Sequence, residues 1–327
     1  MVAQDCRPST DRMPPTSRRF AAIDIGTVTC RMLIADVDAS GIHELRREYA
    51  ITNLGEGVAK SGTLLPAAME RVDAQLERYQ EVISEFTTAD CPTIEVIALA
   101  TSASRDASNA CQFTALLAAR GIVLTIISGD REAALSFRGA GCDFTGENLI
   151  VVDIGGGSTE VIAGVAGSDP LFKHSFNVGC RRVTERFLAS DPPTQPELQR
   201  AREWIEQEMG AVFSDLEALR FTPTRLVAVA GTATSVVAIE QAMETYDSAR
   251  VHRSVVSRAT LNEVTHRLAL LPNEQRKQVV GLDPGRASVI VAGMLILQAV
   301  LDFTEQDAFT VSESDILHGM IFARAHA

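Results

Sequence analysis

The same short pattern occurs twice in the chain, and each copy follows a run of apolar residues. The first copy is Ala22–Thr27, with the sequence AIDIGT, and the second is Val152–Ser158, with the sequence VDIGGGS. In both copies an aspartate precedes a glycine-containing turn that bears a hydroxyl residue. One such turn is also typical of an ordinary junction after a strand, but two copies indicate a duplicated fold with this strand and turn in each half.

The chemistry of this pattern suits a phosphate group bound together with a metal ion. Glycines let the backbone approach a ligand closely and present N–H groups to phosphate oxygens. Hydroxyl side chains add further donors, and aspartates hold Mg²⁺ directly or through its waters. The duplicated pattern therefore predicts a phosphate-binding site with a divalent cation.

Composition argues against several classes of partner. The chain has 327 residues, of which 46% are hydrophobic, and this is enough for two domains with packed cores. Its formal net charge of −12 repels polyanions, so we expect no nucleic-acid or membrane partner. The longest apolar run, Val289–Leu301, is too short to cross a bilayer, and the cysteines lack the spacing of a zinc site. We expect a cytoplasmic protein with reduced cysteines that binds an anionic substrate through a local basic pocket or a metal.

Strand-like and helix-like segments alternate along the chain, which predicts an α/β fold. Residues 1–17 are rich in Pro, Ser, Thr and Asp, and we expect them to form a disordered tail. An amphipathic helix is expected to start near Pro66 and to carry its apolar face to Phe86, and a second is expected over Pro196–Leu219. The predicted strands are Phe20–Asp24, Met32–Val37, Ile94–Ala100, Val123–Ile127, Leu149–Ile154 and Leu226–Ala230.

A third candidate turn, Ala230–Thr234 with the sequence AGTAT, follows the last of these strands. Small residues at this point are compatible with a cap on the next helix, Ser235–Glu240, and also with phosphate binding at the start of that helix. Three phosphate-type turns at strand ends are most simply explained by an actin-like ATPase core with its ligand cleft between the two halves.

An ordered set of motifs extends this interpretation, because it resembles the exopolyphosphatase/guanosine pentaphosphate phosphatase (Ppx/GppA) family from about residue 20 to 322. The motifs are AAIDIGTVTCRMLIADV, LGEGVAKSGTL, ATSASRDASN, ISGDREAALSF, VVDIGGGSTEVI, DPPT, AVAGTATS, GLDPGRASVIVAG and VSESDILHGM. The resemblance implies two ribonuclease H-like domains of the actin-like ATPase (sugar kinase/Hsp70/actin) superfold around a central cleft. We expect one domain over 18–128 together with 309–327 and the other over 129–308, with closure of the two on substrate.

The resemblance also implies an activity, the hydrolysis of terminal phosphoanhydride bonds of inorganic polyphosphate with release of orthophosphate. The alternative is a guanosine pentaphosphate (pppGpp) 5′-phosphohydrolase that uses the same residues on a different leaving group. A third reading is a catalytically weak regulatory protein that binds phosphate or nucleotide. The implied cofactor is Mg²⁺ or Mn²⁺, and homodimers are common in the family.

Residue roles follow from the same resemblance. Glu132 matches the glutamate that positions the attacking water, although the helix dipole also favours a glutamate in a first turn. Arg105 matches an arginine that faces the phosphate, although a surface ion pair would explain it as well. Arg181, Arg182 and Arg286 could extend the basic lining. The predicted metal ligands are Asp24, Asp153 and Glu160. The predicted phosphate-binding residues are Gly26, Thr27, Thr29, Gly155, Gly156, Gly157, Ser158, Gly231, Thr232 and Thr234.

Two departures from the family pattern bear on activity. Val28 stands where the family has asparagine, and the loss of that amide's hydrogen bond would cost about 1–3 kcal/mol, or about tenfold to a hundredfold in rate or binding. The chain also ends shortly after Gly319. We therefore expect a short form that lacks the C-terminal helical domain and prefers short polyphosphate or a nucleotide pentaphosphate.

Overall fold

The computed structural model describes residues 18–89 and 91–326, so the predicted tail over 1–17 lies outside the described residues. The described chain divides into two compact units. The first holds the chain up to Ser128 together with the C-terminal segment from Ile316, and the second is Gly129–Asp315. Each unit is built on one mixed sheet.

The sheet of the first unit joins an antiparallel part to a parallel part. Its strands are β1 (Arg18–Ile25), β2 (Thr29–Asp38), β3 (Gly41–Ile51), β4 (Glu95–Ala100) and β5 (Leu124–Ile126). Their order across the sheet is β3-β2-β1-β4-β5. The first three pair antiparallel, whereas β4 runs parallel to both β1 and β5. Because β1 is central, its residues from Phe20 to Ile25 are all buried, which explains their continuous apolar character around Asp24.

Helices pack on this sheet and share one core with it. They are α1 (Val58–Ser61), α2 (Pro66–Glu85), α3 (Ser102–Asp106) and α4 (Ala110–Ala119). The helix α2 begins at the proline where the sequence predicts it, and its buried residues recur at helical spacing. They are Ala68, Met69, Val72, Leu76 and Tyr79. The Tyr79 hydroxyl donates to the Cys30 carbonyl (2.8 Å), so the buried phenol is paired and ties α2 to β2.

The second unit repeats this sheet and adds one strand. Its strands are β6 (Asn148–Ile154), β7 (Thr159–Val165), β8 (Phe172–Phe176), β9 (Arg225–Val229), β10 (Val255–Ser257) and β11 (Ala308–Val311). Their order is β10-β11-β9-β6-β7-β8. Within it, β6, β7 and β8 pair antiparallel, while β9 runs parallel to both β6 and β11. The extra strand β10 pairs antiparallel with β11 at the edge.

The helices of the second unit follow the predicted alternation with strands. They are α5 (Gly129–Gly141), α6 (Cys180–Phe187), α7 (Gln195–Ala218), α8 (Ala230–Glu240), α9 (Ser248–Val251), α10 (Arg258–Ala269), α11 (Asn273–Arg276) and α12 (Ile290–Phe303). The apolar run Val289–Leu301 forms α12, a core helix. The last helix, α13 (Ile316–Ala325), returns to the first unit and packs on β1 and β2. Within the described ranges, no helix is both long and apolar enough to cross a membrane.

The two sheets confirm the predicted fold class. The order β3-β2-β1-β4-β5 of the first unit recurs as β8-β7-β6-β9-β11 in the second, with the same strand directions. Each is the sheet of a ribonuclease H-like domain, and their duplication is the architecture of the actin-like ATPase superfold. The two Asp-Gly turns occupy equivalent places, between β1 and β2 and between β6 and β7.

One predicted boundary is wrong. The segment 309–327 is predicted to belong to the first domain, but the strand in this segment, β11, pairs with β9 and β10 in the second sheet. Thr310 and Val311 lie opposite Val227 and Ala228 in a parallel ladder, at the position that β5 takes in the first unit. The second sheet needs this strand to complete its repeat, so the chain returns to the first unit only after Asp315.

Candidate active site

The two Asp-Gly turns are closed by the same backbone hydrogen bond. The N–H of Gly26 donates to the carbonyl of Thr29 (2.9 Å), and the N–H of Gly155 donates to the carbonyl of Ser158 (3.0 Å). Each turn lies at the carboxyl end of a central strand, which is the edge where open α/β sheets bind their ligands.

In the turn of the second unit, the three glycine carbonyls are all held by the start of α6. The bonds are Cys180 N–H to Gly155 O (3.0 Å), Arg181 N–H to Gly156 O (2.9 Å) and Arg182 Nε to Gly157 O (3.0 Å). In a planar trans peptide the N–H of the next residue points opposite to the carbonyl. The N–H groups of Gly156, Gly157 and Ser158 therefore point away from α6. Successive N–H groups with a common direction form an anion-binding concavity.

The turn of the first unit is held in the same way by another segment. The carbonyl of Thr27 accepts from the N–H of Gly55 (2.9 Å), and the carbonyl of Val28 accepts from Thr52 and Asn53 (3.0 and 2.9 Å). By the same planarity, the N–H groups that follow these two carbonyls point to the opposite side. The Val28 side chain itself is buried. The predicted effect of having valine at this position stays a prediction.

Two glycines that the sequence analysis did not select hold these turns in place. A Cβ on Gly179 would lie 2.4–2.5 Å from backbone atoms of Gly156 and Gly157, and a Cβ on Gly55 would lie 2.2 Å from the Thr27 methyl. Each glycine is required because a neighbouring turn passes directly against its backbone. Their position just before a helix or inside a glycine-rich loop is a weak signal in sequence, since it does not reveal the close approach.

Three predicted carboxylates lie together in the second unit. Asp153 on β6 is the direct cross-strand partner of Glu160 on β7, so both side chains project from the same face of the sheet. Glu132 lies in the first turn of α5. All three are buried, with exposed fractions of 6% for Asp153, 1% for Glu160 and 8% for Glu132. Hydroxyl groups serve two of them: Ser136 donates to Asp153 (2.7 Å), and Ser175 donates to Glu160 (2.6 Å).

The electrostatics of this group favour a cation. Burial raises the pKa of Glu160 well above its usual range, and the negative charges of Glu132 and Asp153 raise it further. Hydrogen bonds from Ser175 and Ser158 act in the opposite direction but are weaker effects. A positive charge beside these carboxylates would relieve the repulsion between them.

The buried carboxylates of the second unit fit a magnesium ion that takes only one or two ligands from the protein. Across residues 18–89 and 91–326, no three acidic, histidine or cysteine side chains converge closely enough to form a metal cage. Mg²⁺ usually takes one or two carboxylates and completes its shell with water and substrate phosphate. The neighbouring buried carboxylates of Asp153 and Glu160, beside a phosphate-type turn, match that mode. The predicted third ligand, Asp24, belongs to the first unit.

Asp24 has a different partner from its counterpart in the second unit. Its cross-strand neighbour on β2 is Arg31, as Glu160 is the cross-strand neighbour of Asp153. The Arg31 guanidinium donates to Asp24 Oδ2 (2.6 Å), so this buried carboxylate has a counter-ion from its own sheet. The duplicated turns therefore carry opposite charges at equivalent positions. Arg31 is not among the site residues predicted from the sequence, although its spacing from Asp24 equals that of Glu160 from Asp153.

The third predicted turn is the first turn of α8, because the helix begins at Ala230 and not at Ser235. Ala230 has a φ of 62°, an uncommon conformation for a residue with a side chain. Thr232 is buried against α12, where a Cβ on Gly293 would lie 2.5 Å from its hydroxyl. The Thr234 hydroxyl lies 3.5 Å from the Gly231 carbonyl. Thr232 thus faces the core, whereas Gly231 and Thr234 are half-buried.

Arginines lie against the turns of the second unit. A Cβ on Gly231 would lie 1.7 Å from Nη1 of Arg286, so the guanidinium rests directly on this glycine. The positive charges of Arg181 and Arg286 also act on the Cys180 thiol. Arg286 is therefore close both to the α8 turn and to the start of α6. In the first unit, Arg105 in the last turn of α3 is half-buried and donates to the Ile127 carbonyl (3.0 Å) at the end of β5.

We predict opposite stability effects for two glycine-to-alanine changes in the second unit. Gly179→Ala should lower the free energy of unfolding by about 1–3 kcal/mol, because the added methyl overlaps the backbone of the Gly155–Ser158 turn. Gly210→Ala should raise it by about 0.5–1 kcal/mol, because Gly210 lies in the interior of α7 and its Cβ would meet only the Phe303 ring of α12 at an ordinary contact distance (3.8 Å). Chemical denaturation measures both, and a fully stable Gly179→Ala variant would contradict the close packing of α6 on the turn.

Comparisons with known proteins agree with this architecture. A model of the Ppx/GppA phosphatase family matches residues 33–327. Exopolyphosphatase 2 of Mycobacterium tuberculosis (strain ATCC 25618 / H37Rv) is 38% identical and is matched over 94% of this chain and 98% of its own length. The bifunctional 3-dehydroquinate synthase/phosphatase of Fusobacterium nucleatum is 35% identical over 92% of this chain, which corresponds to 46% of that protein.

Solved structures show the same similarity in three dimensions. The crystal structure of an exopolyphosphatase from Cytophaga hutchinsonii superposes with a TM-score of 0.84 at 26% identity, over 94% of this chain and 98% of that one. That of the Aquifex aeolicus member of the Ppx/GppA protein family superposes with a TM-score of 0.77 at 28% identity, over 95% and 98% of the two chains. The duplicated sheet, its two Asp-Gly turns and these matches together show that the chain belongs to the Ppx/GppA phosphatase family.

Proposed function

We propose that the chain hydrolyses the terminal phosphoanhydride bond of inorganic polyphosphate, releases orthophosphate and uses Mg²⁺ or Mn²⁺. The observation that carries this proposal is the Gly155–Ser158 turn, whose carbonyls are held by α6 while its N–H groups point away, next to buried carboxylates. The similarity to relatives named exopolyphosphatase supports polyphosphate as the substrate. Guanosine pentaphosphate offers the same bond type and is the alternative substrate.

The residues of the second unit have separate roles in the proposed reaction. A water molecule attacks the terminal phosphorus, the bridging P–O bond breaks, and the shortened chain leaves with the electron pair of that bond. Glu132 orients this water and accepts its proton. The N–H groups of the Gly155–Ser158 turn and the charge of Arg286 stabilise the phosphoryl oxygens in the transition state.

Asp153 and Glu160 are the residues that would hold the divalent ion. When bound, this ion supplies positive charge that neutralises the phosphoryl oxygens and the leaving group. The hydroxyls of Ser136 and Ser175 hold the two carboxylates in place by hydrogen bonds. Asp24 is not needed for this arrangement, because Arg31 already neutralises it.

We predict that Glu132→Gln lowers the rate constant for orthophosphate release from polyphosphate by about 10²- to 10⁴-fold, the usual contribution of a general base. Its dissociation constant for tripolyphosphate should stay within about threefold, because the amide keeps the shape of the carboxyl. Asp130→Asn, an exposed change two residues earlier in α5, is the matched control and should keep the full rate. A Glu132→Gln variant with wild-type turnover would rule out the assigned role.

Metal binding is tested by measuring the unfolding temperature of the protein, and not its activity. Millimolar Mg²⁺ should raise the unfolding temperature of the wild-type protein, because an ion that binds only the folded state stabilises it by mass action. Asp153→Asn should abolish this shift. Asp38→Asn, which removes a carboxylate at the end of β2, should retain it. An equal shift in both variants would place the ion elsewhere.

Gly231 and Arg286 should behave as one functional element. Gly231→Ala would displace the arginine side chain, and Arg286→Ala would remove it, so each should lower the rate constant by about 10- to 100-fold. The double variant should be no slower than the slower single variant, because both changes remove the same interaction. If the loss of rate in the double variant equals the product of the losses in the two single variants, the glycine acts independently of Arg286.

A further inference from the structure

The second unit contains a cavity whose lining residues take no part in the proposed reaction. It has a volume of about 360 Å³ and lies between α7, α10 and α12. In the described chain, none of the residues that line it belongs to the Gly155–Ser158 turn, to the buried carboxylates or to Arg286. Pockets for small molecules have volumes from about 300 Å³ upwards, so this cavity has room for a small metabolite.

The cavity forms because two helices pack side by side on a third. Both α7 and α10 pack on α12. The helix α12 therefore supplies the floor of the cavity, which includes Leu295 and the small side chain of Ala299, and α7 and α10 supply its walls. On α7 the lining residues Leu198, Arg202 and Glu206 recur at helical spacing, so they lie on one face of this helix.

On the side of α10, the polar groups of the cavity are already paired. The Arg258 guanidinium donates to the Asp302 carboxylate of α12, so these two charges neutralise each other. The Gln298 amide of α12 donates to the Asn262 side-chain carbonyl of α10 (2.6 Å). These contacts join α10 to α12 and leave no net charge on this side of the cavity.

On the side of α7, two opposite charges are left unpaired. Arg202 is half-buried and Glu206 is exposed, and neither has a hydrogen bond or an ion pair with another residue in the described ranges 18–89 and 91–326. Gln199 and Glu203, at the same spacing on α7, do bond to each other (2.9 Å). A basic residue four positions before an acidic one is the less favourable order for a helical ion pair. The cavity therefore presents one cation and one anion, one helical turn apart.

These charges define the kind of ligand that is complementary to the cavity. A guanidinium binds a carboxylate through two parallel N–H bonds, and a carboxylate accepts strong hydrogen bonds from an ammonium group. The acidic side chains of Glu206 and Asp302 disfavour a polyanion such as polyphosphate. Apolar groups of Leu198 and Leu295 also line the cavity and can contact a hydrocarbon group. A small zwitterion satisfies all of these conditions.

We propose that this cavity binds a free amino acid, with its carboxylate on Arg202 and its ammonium group on Glu206. The bound molecule fills the space that α7 and α10 leave above α12, and it supplies the partners that these two side chains lack within the described chain. The proposal goes beyond the proposed function and does not depend on it, because it concerns other residues and involves no bond cleavage.

The first experiment searches for the ligand with the full chain. The unfolding temperature is measured with each of the proteinogenic amino acids in turn at millimolar concentration. At least one of them should raise it by about 2–4 °C, since a ligand that binds only the folded state stabilises that state. Calorimetry then gives the dissociation constant of that amino acid. If none of them shifts the unfolding temperature or produces heat on titration, the proposal is wrong.

The second experiment locates the bound amino acid. Arg202→Gln and Glu206→Gln should each raise its dissociation constant by about 10- to 100-fold, because each removes a hydrogen bond to a charged group. Arg200→Gln and Glu208→Gln are the matched controls, because they make the same changes at exposed positions of α7 outside the cavity lining. The controls should keep the parent affinity, and all four variants should unfold at the parent temperature without ligand. Parent affinity in Arg202→Gln and Glu206→Gln would refute the site.

The third experiment tests whether the ligand must carry both charges. The deaminated acid and the decarboxylated amine of the same amino acid should each bind at least about tenfold more weakly, because each lacks one of the two charged contacts. Arg202→Gln should weaken the acid further and leave the amine unchanged, whereas Glu206→Gln should do the reverse. If the acid binds as tightly as the amino acid in the unmodified chain, the cavity takes simple carboxylates and the assignment to a zwitterion is wrong.

Discussion

The carbonyl groups of the Gly155–Ser158 turn determine how the second unit can meet an anion. Because α6 and Arg182 hold these carbonyls, peptide planarity fixes the direction of the N–H groups on the other side. The arrangement depends on Gly179, since any side chain there would separate α6 from the turn. The direction of these N–H groups is thus a property of the packing of one helix and does not require a ligand to induce it.

Duplication has given the two units the same backbone and different charges. Each turn follows an aspartate on a central strand, and the residue opposite that aspartate is Arg31 in the first unit and Glu160 in the second. A buried carboxylate with an adjacent guanidinium has its counter-ion, whereas two adjacent buried carboxylates repel each other and hold a proton or attract a cation. This difference supports the proposal that the divalent cation is bound by the second unit.

The sequence predicted features with strong local signals and missed those that depend on long-range packing. The apolar strands before the Asp-Gly turns and the periodic face of α2 could be read directly, and the duplicated fold followed from them. The strand β3 was missed because it is an edge strand with charged residues and no alternating burial. The membership of β11 and the position of Arg31 opposite Asp24 depend on strand pairing, which local sequence does not specify. For the site, the residue types were predictable from the sequence. The burial of Thr232 against α12 and the contact of Gly231 with Arg286 were not, because both depend on how distant segments pack in three dimensions.

The return of α13 to the first unit has a consequence for the order of folding. This helix packs on β1 and β2, and Arg18 near the start of the first sheet donates to the Ala325 carbonyl at its end, 307 residues away (3.5 Å). The second unit is continuous in sequence, so all of its strands emerge from the ribosome before this helix is made. Domains generally fold as units during synthesis, and contacts between distant residues form late. The unit that begins first along the chain is therefore the one that is completed last, and until then the face of its central strands that α13 covers stays exposed.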